Sequence, residues 1–331
     1  MPSLPRLTDI AAGFRALALA ICTIGLLPVA LVATIVPAAR PAAASTVGPV
    51  DISGSAPILV NTPALLPALP IPYTSPHPTA CADGSLSCVD TTISNMINRF
   101  APLAAGCAHS AVFSLAYLRT TEEYRRAAAQ PGFFADVAYV TTEDTMFAGE
   151  YFDAYDAWAR GDTAQVPRAW RIAFDAADTS AVSGAGDLLL GMNAHVNRDL
   201  PYVLAALGLV TPDGASRKPD HDKVNVFLNQ VVEPLLDELA ARFDPSTNDL
   251  STPLGISWTA LMQILETWRE SAWTNAERLV RAQTPQDWAA VANQIEATAA
   301  TTAATVKATY AYHPPLTSST SRDSYCAVHH G

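Results

Sequence analysis

A cluster of polar residues interrupts an otherwise apolar part of the chain, residues 187–210. The cluster consists of Asn193, His195, Asn197, Arg198 and Asp199. Its apolar flanks are typical of a helix that is buried on every face, where a polar group without a partner costs about 1–3 kcal/mol. These five side chains therefore need partners elsewhere in the fold or in a ligand.

His195 and Asp199 are the members of this cluster whose spacing indicates chemistry. They are four residues apart, so both project from the same face of a helix. An imidazole and a carboxylate placed in this way can bind a divalent metal ion, or act as a general base with its orienting acid. The enzyme hypothesis is therefore a metal-assisted hydrolase in which His195 and Asp199 are catalytic residues and metal ligands, with a divalent metal as the candidate cofactor.

Two further residues, His221 and Asp153, are candidate ligands of the same metal. His221 lies at the start of a helix predicted for residues 218–242, and in the functional interpretation His221 or Asp222 faces His195. The alternative is that the acids of this group only favour the positive end of the helix dipole. A helix predicted for residues 134–160 carries the acids Glu143, Asp144, Glu150, Asp153 and Asp156. A charge run of this kind is typical of a solvated helix face, and Asp153 is singled out because it neighbours the apolar stripe.

A structural role is the alternative for the polar cluster. Pro201 disfavours helix at Leu200 and removes one backbone donor. Asp199 would then cap a second helix, and His195 would be a core histidine with its partner. In this interpretation the chain is a non-catalytic binding module for a small-molecule or envelope ligand, and the cluster is a buried polar network.

The elements that must position these residues are helices. Residues 81–331 show apolar side chains at spacings of three and four, which predicts one all-α domain of about eight helices. Thr120-x-x-Glu123 predicts a helix that begins at Thr120 and ends before Pro131. Another is predicted for residues 256–281, and Thr284-Pro285 predicts the start of the next.

Two stretches of the sequence resemble a known family. The string from Leu188 to Pro201 contains Asn-Ala-His195-Val-Asn-Arg-Asp199-Leu, and His221-Asp-Lys-Val-Asn225 follows it. With the aromatic residues of 147–158, these strings resemble a family of actinobacterial proteins known as a domain of unknown function, over roughly residues 90–245. The resemblance implies no reaction, cofactor or catalytic residue. A weaker similarity, to secreted zinc-dependent phospholipases and nucleases, rests on the single His-x3-Asp pair at 195–199.

The amino terminus is predicted to be an export signal. Arg6 and Arg15 precede residues 16–39, which carry no charge, and a small-residue cleavage motif lies before Ser45. Residues 1–44 are therefore a cleaved signal peptide or, if uncleaved, a membrane anchor through residues 16–39. Residues 45–80 contain 8 prolines and predict a disordered linker. The expected location is secreted or in the cell envelope.

Charge and cysteine content support that location. Without residues 1–44 the chain has 17 basic and 30 acidic residues, which argues against a nucleic-acid partner. Four cysteines remain, and an even number in an exported chain predicts two disulfides. Of the three pairings that the sequence permits, we favour Cys81 with Cys88 and Cys107 with Cys326.

Overall fold

The helices observed between residues 84 and 330, the part that the computed structural model describes, account for nearly all of the regular structure. Only isolated β-bridges accompany them, and no strand is formed in this part of the chain. The helices are α1 (Leu86–Ala105), α2 (Ala111–Ala128), α3 (Val137–Ala159), α4 (Arg168–Asp178), α5 (Gly184–Met192), a π-helix (Asn193–Asp199, the π segment), α6 (Leu200–Leu207), α7 (Lys218–Arg242), α8 (Trp258–Arg281), α9 (Pro285–Thr309) and α10 (Ser319–His329). The all-α prediction is confirmed.

The centre of the fold is the continuous run of α5, the π segment and α6. Every residue of α5 is buried. Helices α2, α3, α4, α8 and α9 pack around this run, and α7 packs against α2 and α8. The chain here is apolar on all faces because each face meets a neighbouring helix, as the sequence predicts.

The π segment replaces the helix break that Pro201 suggests. The backbone N–H of Leu200 donates to the carbonyl of His195, five residues back, so the helix widens just before the proline and then continues. Asp199 makes no side-chain cap at the start of α6, so the prediction that it caps a second helix is wrong. Its carboxylate is available for other partners instead.

The helix start predicted at Thr284-Pro285 is correct, and the helix predicted for residues 256–281 is observed as α8, with Ser257 as a cap that was not predicted. Thr284 accepts from the backbone N–H of Asp287, and Ser257 accepts from that of Ala260. The helix start predicted at Thr120 is wrong, because α2 begins at Ala111. Thr120 lies in mid-helix, where its hydroxyl donates to the Ala116 carbonyl at 2.8 Å.

A disulfide between Cys107 and Cys326 joins the end of α1 to α10 across 219 residues, as predicted. Cys88 is also disulfide-bonded, but its predicted partner Cys81 lies outside the described residues. The predicted signal sequence or anchor and the proline-rich linker lie outside them as well. Among the helices of residues 84–330, none combines the length and apolarity that crossing a bilayer requires.

Candidate functional site

A cavity of about 110 Å³ lies inside the helical domain, between α2, α3, α5, the π segment, α7 and α8. Most of the side chains that line it are leucine, valine and phenylalanine. Polar side chains also reach it, among them Tyr117, Glu143, Asp144, His195 and Arg269. A mostly apolar cavity with a few convergent polar groups is the usual form of a small-molecule site.

His195 is held in the cavity wall by Asp199. Nδ1 of the imidazole lies 3.0 Å from Oδ2 of Asp199, within the π segment. Because the carboxylate can only accept, Nδ1 carries the proton and Nε2 is the unprotonated nitrogen. Nε2 is buried and has no hydrogen-bond partner among residues 84–330. Burial lowers the pKa of His195 below its usual value, against the opposing effect of Asp199, so the ring is neutral at pH 7.

Asp199 is fully engaged by protein groups. Besides His195, its Oδ2 accepts from the indole of Trp170 at 2.9 Å, and its Oδ1 accepts from Arg198 at 2.9 Å. Arg198 in turn donates to Glu296 at 2.8 Å and Glu150 at 3.2 Å. These contacts hold the Asp199 carboxylate in place and fix the orientation of the imidazole.

Aromatic rings fix the plane of the imidazole. The ring of Phe147 stacks on His195 with centroids 3.4 Å apart, and the ring of Tyr117 lies edge-on at 4.4 Å. The hydroxyl of Tyr117 is buried and has no hydrogen-bond partner in the part of the chain that the structure describes. Burial raises the pKa of Tyr117 well above its usual value, so the hydroxyl keeps its proton.

Asp144 is the acid of the site. Its Oδ2 is buried and lacks a hydrogen-bond partner, and no cation pairs with its carboxyl group among the described residues. Burial and the neighbouring charge of Glu143 raise the pKa of Asp144 well above its usual value. The neutral, protonated form is therefore favoured, and in that form Asp144 is a hydrogen-bond donor.

His221 belongs to a separate network beside the cavity and does not face His195. Its Nδ1 lies 3.8 Å from Glu143 and 3.3 Å from the guanidinium of Arg269. Arg269 also donates to the His221 carbonyl and, at 2.8 Å, to Asn225. Burial lowers the pKa of Arg269 to about 10, against the opposing effect of the Glu143 charge, so the guanidinium stays charged at neutral pH. This network ties α7 to α8 and α3.

The four residues predicted as metal ligands do not come together. His195 and Asp199 form a pair, His221 lies in the neighbouring network, and Asp153 is exposed on α3. Asp222, the alternative to His221, pairs with Lys218 at 2.8 Å. Within residues 84–330, the group of three or more ligand atoms within 4.8 Å of one another is Cys107, Cys326 and His330. Its two sulfurs are joined in the disulfide, so they are not thiolate ligands.

Sequence reasoning missed Tyr117 and Asp144. The prediction that the acids of α3 form a solvated face holds for Asp153, which is exposed. It is wrong for Glu143 and Glu150, which are buried, and for Asp144, which lines the cavity. A usable signal was present, since Phe147 follows Asp144 by three residues and places the acid on an apolar face. Tyr117 stands in the buried run of α2 and carries no signal that separates it from a core tyrosine.

Comparison with known proteins gives a family and no activity. A family model described as "Family of unknown function (DUF5995)" matches residues 89–309, which confirms the resemblance to a domain of unknown function. No curated protein and no solved structure gives a significant match. The function must therefore be argued from the site.

Proposed function

We propose, for a chain that belongs to DUF5995, a family of unknown function, that its helical domain binds a small, largely apolar molecule in the central cavity. The ligand carries one polar group, which hydrogen-bonds to the polar side chains of the wall. This proposal develops the binding-module hypothesis of the sequence, but His195 contacts the ligand in the cavity instead of belonging only to a buried polar network.

One observation carries the proposal: three buried polar atoms without partners belong to side chains that line the same cavity. They are Nε2 of His195, the hydroxyl oxygen of Tyr117 and Oδ2 of Asp144. Burying each without a hydrogen bond costs about 1–3 kcal/mol, and a ligand that pairs with them removes that cost. Since Nε2 accepts while Tyr117 and protonated Asp144 donate, the site suits a ligand with a carbonyl or hydroxyl group.

The size and lining of the cavity limit the apolar part of the ligand. An engineered apolar cavity of about 150 Å³ holds benzene. The cavity here is smaller, at about 110 Å³, which limits the ligand to one five- or six-membered ring or a short branched chain. Burial of its carbon atoms supplies the binding energy, at about 25 cal/mol per Å² of apolar surface removed from water.

The metal-assisted hydrolase is less well supported by the same geometry. Both oxygens of Asp199 already accept hydrogen bonds from protein groups, and His195 uses Nδ1 to bind that carboxylate. A metal at His195 would therefore have Nε2 as its only ligand from this pair. His221 and Asp153 lie elsewhere and do not complete a coordination sphere.

Phenol is a suitable probe because it combines a six-membered ring with a hydroxyl group that donates and accepts. We expect phenol to raise the melting temperature of the purified protein in a concentration-dependent way, and to do so more than benzene at equal concentration. The difference arises from the hydrogen bonds of the hydroxyl to His195 and Tyr117. Differential scanning calorimetry measures both shifts.

Two matched variants on α7 locate the binding site. Val232 lines the cavity and is buried, whereas Val226 is 49% exposed on the same helix. Val232→Phe fills the cavity and should abolish the phenol shift; Val226→Phe adds the same ring at the surface and should retain it. Equal phenol shifts in the two variants would contradict binding in the cavity.

We also propose that the domain works outside the cytoplasm. The uncharged stretch 16–39 and the small residues before Ser45 support cleavage of an export signal. The disulfide between Cys107 and Cys326 supports an oxidising compartment. Amino-terminal sequencing of the native protein should begin near Ser45. An intact Met1 on membrane-bound protein would instead make residues 16–39 an anchor.

A further inference from the structure

We propose that the cavity is a proton-transfer site for small ketones, in which Nε2 of His195 removes a proton from the carbon next to the carbonyl while Tyr117 and Asp144 donate hydrogen bonds to the carbonyl oxygen. The inference rests on the proposed ligand site and adds a reaction to it. It assigns the three unpaired polar atoms of the cavity wall to one chemical step.

His195 has the geometry of a general base. Nδ1 is fixed on Asp199 at 3.0 Å, so the basic lone pair is on Nε2. Trp170 and Arg198 hold that carboxylate in place, and Phe147 stacks on the imidazole. A buried carboxylate that orients the imidazole also stabilises the imidazolium formed when Nε2 takes a proton. Because the ring is neutral at rest, Nε2 has a free lone pair that can accept a proton.

Tyr117 and Asp144 have the character of oxyanion donors. Each has a buried oxygen without a hydrogen-bond partner among the described residues. Both side chains line the same cavity as His195. Tyr117 keeps its proton because it is buried, and Asp144 is protonated for the same reason with Glu143 beside it. A tyrosine and a neutral carboxylic acid in an apolar site are an established means of stabilising an enolate.

The step balances within the site. The C–H bond next to the carbonyl breaks and its proton moves to Nε2 of His195. The electron pair forms a carbon–carbon double bond, and the carbonyl π electrons move to oxygen, which accepts from Tyr117 and Asp144. When the ketone carries a carbon–carbon double bond one carbon beyond the one that loses the proton, the anion is a dienolate. The imidazolium then returns the proton to the far carbon of that double bond, the carbonyl re-forms, and the double bond moves next to it. The net change is an isomerisation, and no oxidant, reductant or water is consumed.

3-Cyclopentenone tests this assignment. It has one five-membered ring and fits the size limit of the cavity. Moving a proton from the carbon between its carbonyl and its double bond to the far alkene carbon gives 2-cyclopentenone, whose conjugation is followed by ultraviolet absorbance. We expect the purified protein to accelerate this conversion above the rate in buffer.

Tyr117→Phe is the most informative variant because it removes one oxygen that has no partner in the fold, so the domain should keep its stability. We expect isomerisation to fall by roughly 100-fold or more. His195→Gln should lower it by a similar or larger factor. The matched controls are Tyr139→Phe and His109→Gln. Both control residues are buried but do not line the cavity, and His109 also binds a carboxylate, Asp187, at 2.7 Å.

The outcomes separate this inference from the binding proposal. Acceleration that is lost in Tyr117→Phe and kept in Tyr139→Phe supports the reaction. If the wild-type protein is inactive while 2-cyclopentenone raises its melting temperature, the proton-transfer inference is overturned and the binding proposal stands. If neither 2-cyclopentenone nor phenol shifts the melting temperature, both are overturned. Acceleration that persists in both Tyr117→Phe and His195→Gln also overturns the inference.

Discussion

The carboxyl group of Asp144, which pairs with no cationic side chain among residues 84–330, is the least expected feature of the cavity wall. Asp144 faces an apolar cavity, and its neighbour Glu143 adds negative charge. Burial and that charge both act against ionisation, so the folded protein favours the protonated carboxyl of Asp144 more than the unfolded chain does. The protein therefore keeps an acid in its interior at some cost in stability, as is typical of a functional site.

Asp144→Asn tests the protonation of this carboxyl. The folded pKa of Asp144 is raised, so the wild-type protein loses stability as pH rises above the ordinary carboxyl value of about 4. Asparagine keeps the shape and cannot ionise. The stability of Asp144→Asn relative to wild type should therefore increase with pH, by up to about 1.4 kcal/mol per pH unit until the folded pKa is reached.

Urea unfolding between about pH 4 and pH 7 measures this difference. The titratable and charged groups around Asp144 are Tyr117, Tyr124, Glu143, His195 and Arg269. All of them are present in both proteins, so their contributions largely cancel. If Asp144→Asn is instead less stable than wild type at pH 7 and matches it at pH 4, the carboxyl is ionised and paired.

At the residue scale, the sequence predicted two residues of the candidate site, His195 and Asp199. His195 and Asp199 could be predicted because polar residues inside a helix that is apolar on all sides need partners. Tyr117 and Asp144 could not, since a tyrosine in a buried run is most often core and adjacent acids on a helix are most often solvated. What distinguishes Asp144 is the packing of α7 and α8 against its face, which is a tertiary property.

At the scale of elements, the site depends on how closely α5 crosses α2. A Cβ built on Gly191 would approach the ring of Phe113 at 2.4 Å or less. Phe113 lines the cavity and meets the His195 ring edge-on with centroids 5.9 Å apart. Glycine at position 191 thus allows α5 to place the following π segment, and with it His195, beside α2.

Gly191→Ala should destabilise the protein by about 1–3 kcal/mol, because the added methyl group displaces Phe113 from a packed position. Phenol should also raise the melting temperature of this variant by less than it raises that of the wild-type protein. Gly106→Ala is the matched control, since the nearest atom that its Cβ would meet is the Pro102 carbonyl oxygen at 3.3 Å. Equal stability of the two variants in urea unfolding would contradict the close crossing.

Helix positions were predictable wherever a local signal decided them. Ser257 and Thr284 cap α8 and α9 because a hydroxyl there satisfies a backbone donor that the helix leaves unpaired. Thr120 offers the same signal in mid-helix, where tertiary packing of α2 against α7 and α1 overrides it. The π segment could not be predicted, because the sequence shows Pro201 and not how the helix accommodates it.

At the scale of the whole molecule, α10 is attached to the domain by more than its disulfide. Arg322 is buried and donates to the carbonyls of Cys107 and Ala108, so α10 and the end of α1 share covalent and polar contacts. The disulfide closes a loop of more than 200 residues, which restricts the unfolded chain strongly.

Loss of the Cys107–Cys326 disulfide should lower the free energy of unfolding by roughly 2–4 kcal/mol. The double variant Cys107→Ser/Cys326→Ser tests this in urea unfolding without reductant. The wild-type protein should lose a similar amount when reductant is added, whereas reductant should have a smaller effect on the double variant. An unchanged free energy of unfolding in the double variant would show that the polar contacts of Arg322 alone hold α10.

Ligand binding in the cavity requires Nε2 of His195 to be an unprotonated acceptor that the ligand engages. Nitrogen-15 NMR of the histidine side chains measures this directly, with the His195→Gln variant assigning the resonance. We predict that His195 carries its proton on Nδ1 at pH 7, and that saturating phenol moves the Nε2 resonance in the direction of an accepted hydrogen bond. A proton on Nε2, or an Nε2 resonance that does not move with phenol, would contradict ligand binding at His195.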